Sequence, residues 1–554
     1  MAFGYSPSYG SNHAAFWRTL LGLYCLITLV NSAISTPPED PVKCVSGNTN
    51  CTVTTSLGAF PDRSTCRAAN VAYPTSEAEL VSIVAAATKA GRKMRVTTRY
   101  SHSSPKLVCT DGKDGLFIST KFLNHTVRAD AKAMTLTVES GMTLRQLIAE
   151  AAKVGLALPY APYWWGVTVG GMMGTGAHGS SLWGKGSAVH DYVTEIRMVS
   201  PGLVNDGFAK IRVLSETTTP NEFNAAKVSL GVLGVISQVT FALQPMFKRS
   251  IKYVMRNDLD FNDQVLTFGK KHEFADFVWL PSQEETQETL RDANGKCVAA
   301  KAITSTLFAT SYGLTNNGII FTGYPVIGSQ NRMMSSGSCL DGLEDKLIST
   351  CAWDSRIKGI FIYSTGFSVP LTQVSSFIND IKSLVKIDSK SLCGLELYYG
   401  ILMRYVTSSP AYLGKETEAI DFDITYYRAN DPLTPRLYED FIEEIEQIAL
   451  FKYNALPHWG KNRNLAFDGV IKKYKNAPAF LKVKESYDPQ GLFSSEWTDQ
   501  ILGIKGNPTI VKDGCALEGL CICSEDAHCA PTKGYLCRPG KVYKEARVCT
   551  HVTK

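Results

Sequence analysis

The stretch VGGMMGTGAHGSSLWGKG, Val169 to Gly186, places seven glycines in eighteen residues and keeps Thr175, His178 and Ser180 among them. Glycine lets a backbone approach a partner closely, and peptide N–H groups turned inward make a nest for an anion such as a pyrophosphate. Gly170, Gly171, Gly174, Gly176 and Gly179 are spaced irregularly, which fits neither G-x-G-x-x-G nor G-x-x-x-x-G-K-[ST]. Taken alone, the stretch is equally a tight crossing of two chain segments. A second stretch, RYSHSSPKLVC from Arg99 to Cys109, sets His102 among Tyr100, Ser101 and Ser103. A third, PHWGKNRN from Pro457 to Asn464, brings the His458 imidazole, an indole and the Lys461 cation together. A fixed cation can stabilise the anion that hydride transfer leaves beside it. A polar-loop histidine and an exposed basic turn are the plain alternatives for these two.

The elements that must hold these residues alternate between helix and strand. In SEAELVSIVAAATKAG, Ser76 and Glu79 form a capping box, Leu80, Val84 and Ala87 share a face, and Gly91 is the stop. MRVTTRY then reads as a strand that delivers the His102 loop. The alternating strand MTLTVES leads to a second box, Thr143 with Gln146, opening the helix LRQLIAEAAKV. This rhythm runs to the strand VISQVTFALQP, closed by Pro245. From about 246 to 455 aromatic-rich strands dominate, among them FADFVWL, IKGIFIYS and AIDFDITYYRA. One amphipathic helix stands out there, RLYEDFIEEIEQIAL, with Leu437, Phe441, Ile445 and Ile448 on one side.

The chain has 554 residues, 44% hydrophobic and 19% charged, with a net charge of +6. That supports several cores, and with no Lys/Arg block it excludes a nucleic-acid-binding reading. At the N-terminus Trp17-Arg18, the apolar run TLLGLYCLITLV and the small residues NSAIS read as a secretory signal peptide. Of fifteen cysteines, Cys25 lies inside that run, leaving an even fourteen for disulfides. Asn50 and Asn124 begin glycosylation sequons. Cys44, Cys51 and Cys66 are close enough to staple an N-terminal segment. Beyond residue 512 a polar tail holds Cys515, Cys521, Cys523, Cys529, Cys537 and Cys549. It is too short for a hydrophobic core and lacks paired C-x₂-C spacings, so disulfides rather than zinc must order it. The sequence does not choose among the fifteen pairings that six cysteines allow.

Together the three chemical stretches resemble the aldonolactone oxidases of the vanillyl-alcohol-oxidase-type FAD superfamily, in particular the plant L-gulonolactone oxidases. VTVGGMMGTGAHGSSLWGKGSAVHDYV is similar to their flavin loop, HWGK fits their His-Trp-x-Lys signature, and DPQGLFSSEW matches their C-terminal segment. The likeness runs in order from about residue 57 to 505. It implies an α+β protein: a two-subdomain PCMH-type FAD-binding domain, a sheet-based substrate (cap) domain, and here a disulfide-rich tail. The boundaries expected are a signal peptide at 1–35, a stapled segment at 36–56, the FAD domain at 57–245 and the cap at 246–455. A C-terminal return with HWGK follows at 456–511, then the tail at 512–554.

The resemblance further implies that the FAD pyrophosphate lies against Gly170 to Gly179, with Arg99, Tyr100, Ser101, His102 and Ser103 contributing. In animal relatives the histidine of Gly-Gly-His-Ser-Pro carries the flavin covalently, and His102 falls at the matching place. Tyr100-Ser101 stands where those glycines would be and Ser104 displaces the proline, so the covalent link is an expectation that the motif only partly carries. A cysteinyl link is disfavoured, since no cysteine lies between Cys109 and Cys297. The implied reaction oxidises the C2 hydroxyl of L-gulono-1,4-lactone and passes the electrons to O₂ as H₂O₂. The departing alcohol proton needs a base or polarising group. His458 and Glu396 are the candidates, with Arg404 beside Glu396 to hold the polyol and Lys461 to stabilise the reduced flavin. The expected partners are an aldonolactone and O₂, without nucleic acid or stable membrane insertion, in the secretory pathway, apoplast or vacuole. An oxidase of an alditol, aldose or cytokinin-like amine is one competing reading. A non-catalytic flavin-binding glycoprotein is the other.

Overall fold

The computed structural model describes residues 40–55, 59–162, 166–247, 257–281, 362–392, 400–429 and 431–552. The expected signal peptide, Cys297, Cys339, Cys351, Cys393 and Glu396 lie outside the described residues. Among those described, no helix is long and apolar enough to cross a membrane.

The first sheet is built from β1 (Val42–Ser46), β2 (Thr49–Val53), β3 (Cys66–Ala72), β4 (Met94–Thr97) and β5 (Leu116–Ser119), in the order β1-β2-β3-β5-β4. β5 runs parallel to both β3 and β4, and α1 (Glu77–Lys89) makes the crossover between them. Ser76 caps α1 by accepting the Glu79 N–H at 3.2 Å. The Glu79 carboxylate turns to the Thr75 N–H and hydroxyl instead of closing the box on Ser76. Two disulfides tie this sheet: Cys44–Cys51 across the first hairpin, and Cys66–Cys109, which anchors the far end of the His102 loop.

The second sheet is antiparallel, with β6 (Thr126–Asp130), β7 (Thr135–Glu139), β9 (Val193–Pro201), β10 (Ala209–Ser215) and β11 (Val235–Ala242) in the order β10-β9-β11-β7-β6. A short ladder, β8 (Leu156–Ala157) with β12 (Gln244–Pro245), lies beside it. α2 (Leu144–Lys153) carries the complete Thr143/Gln146 capping box. The first half of the glycine-rich stretch is not a loop but a short helix, α3 (Val169–Thr175). Thr168 caps it, Val169, Met172 and Met173 anchor it in the core, and Gly176 ends it at φ +67°. α4 (Pro220–Ala226) closes this subdomain.

The cap sheet has the order β13-β15-β16-β14-β17, all antiparallel, from β13 (Asp276–Trp279), β14 (Ile362–Pro370), β15 (Ile401–Val406), β16 (Ala419–Tyr427) and β17 (Leu456–Pro457). Side chains alternate between its faces. Phe367, Met403, Tyr405, Ile420, Phe422 and Ile424 point to the core formed with α5 (Phe261–Lys271), α6 (Val374–Ile387) and α7 (Glu439–Gln447). Phe377 of α6 meets Phe422 edge-on, with ring centroids 4.8 Å apart. The opposite face carries Ser368, Arg404, Asp421 and Asp423.

The return after β17, with α8 (Ala477–Tyr487) and α9 (Glu496–Ile501), packs into the core of the second sheet: Trp459, Phe467, Phe480 and Trp497 share one cluster with Leu147 and Met172. The tail forms a hairpin, β18 (Tyr535–Pro539) with β19 (Arg547–His551), and its six cysteines pair as Cys515–Cys521, Cys523–Cys537 and Cys529–Cys549. Its docking explains a departure from the amphipathic pattern of α7, in which every residue is buried. Glu443 accepts the Cys549 N–H, Glu444 accepts those of Lys541, Val542 and Tyr543, and Gln447 pairs with Arg547. The acidic face that reads as solvated in sequence is covered by tail backbone. Leu437, expected on the apolar face, is 47% exposed just before the helix starts.

Candidate functional site

The three chemical stretches converge. The Ser104 N–H donates to the Gly460 carbonyl at 3.0 Å, which joins the His102 loop to HWGK. Gly460 in turn lies on the end of α3, where a Cβ would stand 3.3 Å from Thr175. β4 launches the His102 loop, and the buried Arg95 on β4 holds its far side by donating to the Leu107 carbonyl at 2.8 Å. The same guanidinium reaches the carbonyls of Leu230 and Gly231 in the second subdomain. Ser101 takes φ +48° to make the turn. Arg99 is exposed with its guanidinium over Tyr100, and the Tyr100 ring lies 5.6 Å from that of His102. Gly166 leaves room for His102, whose Nε2 would be 2.9 Å from a Cβ there. Desolvation pulls the His102 pKa down to about 3. It is a neutral imidazole at any physiological pH.

The glycine-rich turn works differently from a nest. The N–H groups of Gly170, Gly171 and Gly179 are spent on Ser140 O, Thr168 Oγ1 and Ser187 O. Thr175 donates to the Gly171 carbonyl. The glycines instead permit contact: Gly170 packs on Ser140, and nothing lies within 4 Å of a Cβ at Gly174. His178 and Ser180 face the cap, not the turn. Tyr405 N–H donates to Ser180 Oγ at 2.9 Å, and Ser180 donates to the Ala275 carbonyl. Lys185 is exposed. Several hydroxyls around the turn and the His102 loop, those of Ser101, Ser104 and Ser140, are buried with no hydrogen-bond partner among the described residues. Such groups cost free energy unless a ligand satisfies them. Unsatisfied hydroxyls bordering an open glycine surface fit a large polar cofactor.

Across from this surface the cap presents a charged cluster. Arg404 on β15 donates to the His178 carbonyl at 3.0 Å, to Asp421 at 3.1 Å, and to Asp423. Lys461 pairs with the other oxygen of Asp423. Ser368 donates to Asp421 at 2.7 Å, and His178 Nε2 lies 3.2 Å from it. These donors keep Asp421 ionised despite its complete burial. His178 Nδ1 lies 2.9 Å from the Gly179 carbonyl, and its Nε2 lies on the Asp421 side of the ring. Desolvation first, and Arg404 second, push the ring toward the neutral form.

His458 follows β17 and is pinned by its N–H to the Gly366 carbonyl at 2.8 Å. Asn462 brackets the turn, bonding Gly366 through both its oxygen and its nitrogen and also the His458 carbonyl. Burial, then Lys461, holds the His458 pKa well below its usual value. Gly460 N–H donates to His458 Nδ1 at 3.0 Å, which places the ring proton on Nε2. His458 therefore rests as a hydrogen-bond donor toward the site, the form in which it acts as a polarising group. Trp459 is a core residue, stacked between Phe467 and Tyr474 and donating to Leu413 O. A cavity bordered by Thr175, His178, His190, Lys415 and His458 has a volume of about 20 Å³, room for a water but not for a sugar lactone.

Lys461, Arg404 and His458 lie in one cluster, and the His102 loop joins it through the Ser104–Gly460 bond; Glu396 lies outside the described residues. Asp421, Asp423 and Gly366 were not singled out in the sequence. Their signal is present in AIDFDITYY, where two acids alternate with Ile420, Phe422 and Ile424. A strand with one apolar face and carboxylates on the other must satisfy them against something.

The chain is similar to several families and proteins of known name. Residues 68–202 match the family described as FAD binding domain, and 360–501 match D-arabinono-1,4-lactone oxidase. Residues 512–551 match L-gulonolactone oxidase 2-like, C-terminal domain. L-gulonolactone oxidase 5 of Arabidopsis thaliana is 86% identical across the full length of both chains. L-gulonolactone oxidase 2 of the same plant is 79% identical over 100% of this chain and 99% of its own. The mouse L-gulonolactone oxidase is 25% identical over 77% and 94%. Among solved structures, a solvent-stable cholesterol oxidase aligns at a TM-score of 0.55 and 14% identity, covering 85% of this chain and 100% of that one. A chitooligosaccharide oxidase does so at 0.53 and 14%, over 84% and 97%. These last two speak to the fold alone. The cofactor of this chain is FAD.

Proposed function

The chain belongs to the L-gulonolactone oxidase family of FAD-dependent oxidoreductases, and from that premise we propose that it oxidises the C2 hydroxyl of L-gulono-1,4-lactone. The 2-keto lactone formed tautomerises to L-ascorbate, and O₂ takes the two electrons and two protons as H₂O₂. Bound FAD supplies the hydride acceptor. The observation that carries this reading is the Arg404–Asp423–Lys461 constellation, held opposite the glycine surface with His458 at its edge. Arg404 and Lys461 hold and polarise the lactone hydroxyls. His458 donates from Nε2 to a substrate oxygen. Lys461 places positive charge where negative charge grows as hydride leaves the substrate.

His102, neutral and desolvated in the loop against Gly166, is the residue we assign to covalent attachment of the cofactor. We also propose a secreted, glycosylated product. The leader sequence, the five disulfides of the described residues and the exposed sequon residue Asn50 support that reading. The deciding experiment measures peroxide released from a panel of aldonolactones, alditols and aldoses by protein of known flavin content. Peroxide from L-gulono-1,4-lactone supports the proposal. A flavin band that no aldonolactone bleaches under anaerobic conditions rejects it.

A further inference from the structure

Arg404 enters the site from β15, with Leu402 on the same face of that strand. A carboxylate comes from the next strand. In the β15–β16 register Leu402 lies opposite Asp423, and in the β14–β16 register Asp423 lies opposite Gly366. The absence of a side chain at Gly366 is what admits the Asp423–Lys461 pair: a Cβ there would stand 2.8 Å from Asp423 Oδ1 and 3.0 Å from Lys461 Cδ. Asp421 is fully enclosed, whereas the Asp423 side chain is 11% exposed and that of Lys461 22%. Asp423 and Lys461 are the most exposed members of the cluster.

Among the described residues Asp423 is shared by two cations: Arg404 pairs with one of its carboxylate oxygens and Lys461 with the other, while Asp421 also pairs with Arg404. The two neighbouring imidazoles, His178 and His458, are held toward their neutral forms.

We propose that Asp423 is the specificity-determining residue of this site: it positions Arg404 and Lys461 and cancels their charge, so that the pocket takes an uncharged polyhydroxylated lactone and refuses the carboxylate of the ring-opened aldonate. The discrimination matters chemically, because a lactone and its hydrolysis product carry the same hydroxyls and differ chiefly in charge. An unbalanced pair of cations would bind the carboxylate bidentately and be blocked by it. The inference rests on the lactone-oxidising reading for its substrate, but its charge argument stands on the cluster alone.

The test titrates the FAD-loaded protein with L-gulonate, followed by calorimetry, beside anaerobic stopped-flow reduction by L-gulono-1,4-lactone. In Asp423→Asn, L-gulonate binding tightens by about tenfold or more, while the lactone is reduced more slowly and with weaker apparent affinity. Asp423→Glu keeps the wild-type preference. A double variant, Asp423→Asn with Leu402→Glu, returns a carboxylate from the facing strand and restores refusal of L-gulonate, which a merely structural role would not produce. Unchanged L-gulonate affinity in Asp423→Asn at wild-type flavin content overturns the proposal. If Asp423→Asn does not fold, L-gulonate binding to Asp423→Glu decides: retained refusal supports the proposal, and tight binding overturns it. Wild-type protein that no lactone reduces would sink the functional reading while leaving the L-gulonate titration to judge Asp423.

Discussion

Gly174→Ala separates the two jobs that a glycine in a cofactor turn can have. Gly174 sits in helical conformation within α3, and nothing in the protein lies within 4 Å of a Cβ built there. Alanine in a helix is better than glycine by about 1 kcal/mol. The apoprotein should therefore gain stability, seen as a rise of about 1–2 °C in melting temperature for a chain of this size. If FAD covers that surface, the same methyl group crowds the bound cofactor. Overpacking of one methyl costs about 1–3 kcal/mol, which weakens FAD binding by about 5- to 150-fold. The two effects have opposite signs, and that is their value. Apoprotein made under riboflavin limitation would be melted alone and then titrated with FAD by fluorescence quenching. A higher melting temperature with unchanged FAD affinity would place the cofactor elsewhere and refute the reading of the turn.

Other expectations follow from the same contacts. Lys461→Met should slow anaerobic flavin reduction by the lactone about 10²–10³-fold with FAD content preserved; single-turnover reduction at the wild-type rate would remove Lys461 from the chemistry. Acid-precipitated wild-type protein should keep its yellow colour in the pellet and His102→Ala should release it, so colour lost to the supernatant by both would exclude the covalent link. Glu518 accepts bonds from Arg63 and the buried Arg428, tying the tail to the body of the protein. Glu518→Ala removes the carboxylate that two guanidinium groups share and should cost about 3–5 kcal/mol in denaturant unfolding, with a loss below 1 kcal/mol refuting the clamp. His102, His190 and His458 all have folded-state pKa values below the ordinary 6.5. The unfolded chain then binds more protons below that pH, so stability falls as pH drops through about 6.5, by about 1.4 kcal/mol per pH unit for each histidine. Denaturation midpoints that stay flat between pH 7 and 5 would contradict their burial.

Much of the site was legible in the chain. The seven glycines of 169–186 marked a close approach because no other residue leaves the backbone so bare, and HWGK carried its cation in a fixed turn. The alternation of apolar and charged residues in AIDFDITYY already divided β16 into a core face and a polar face. The cysteine count fixed an oxidised tail without fixing its pairing. Tertiary structure decided the rest, because the deciding contacts join residues far apart in sequence. Asp423 meets Lys461, 38 residues on, only through the β14–β16 register and the missing side chain of Gly366. The acidic face of α7 was indistinguishable from a solvated one until the tail, about 100 residues later, brought its backbone N–H groups to Glu443 and Glu444. The glycine N–H groups, free in any reading of the sequence, were committed when Ser140 and Ser187 packed beside them. Local patterns set which residues are bare, charged or paired with period two; only the packed chain sets what each faces.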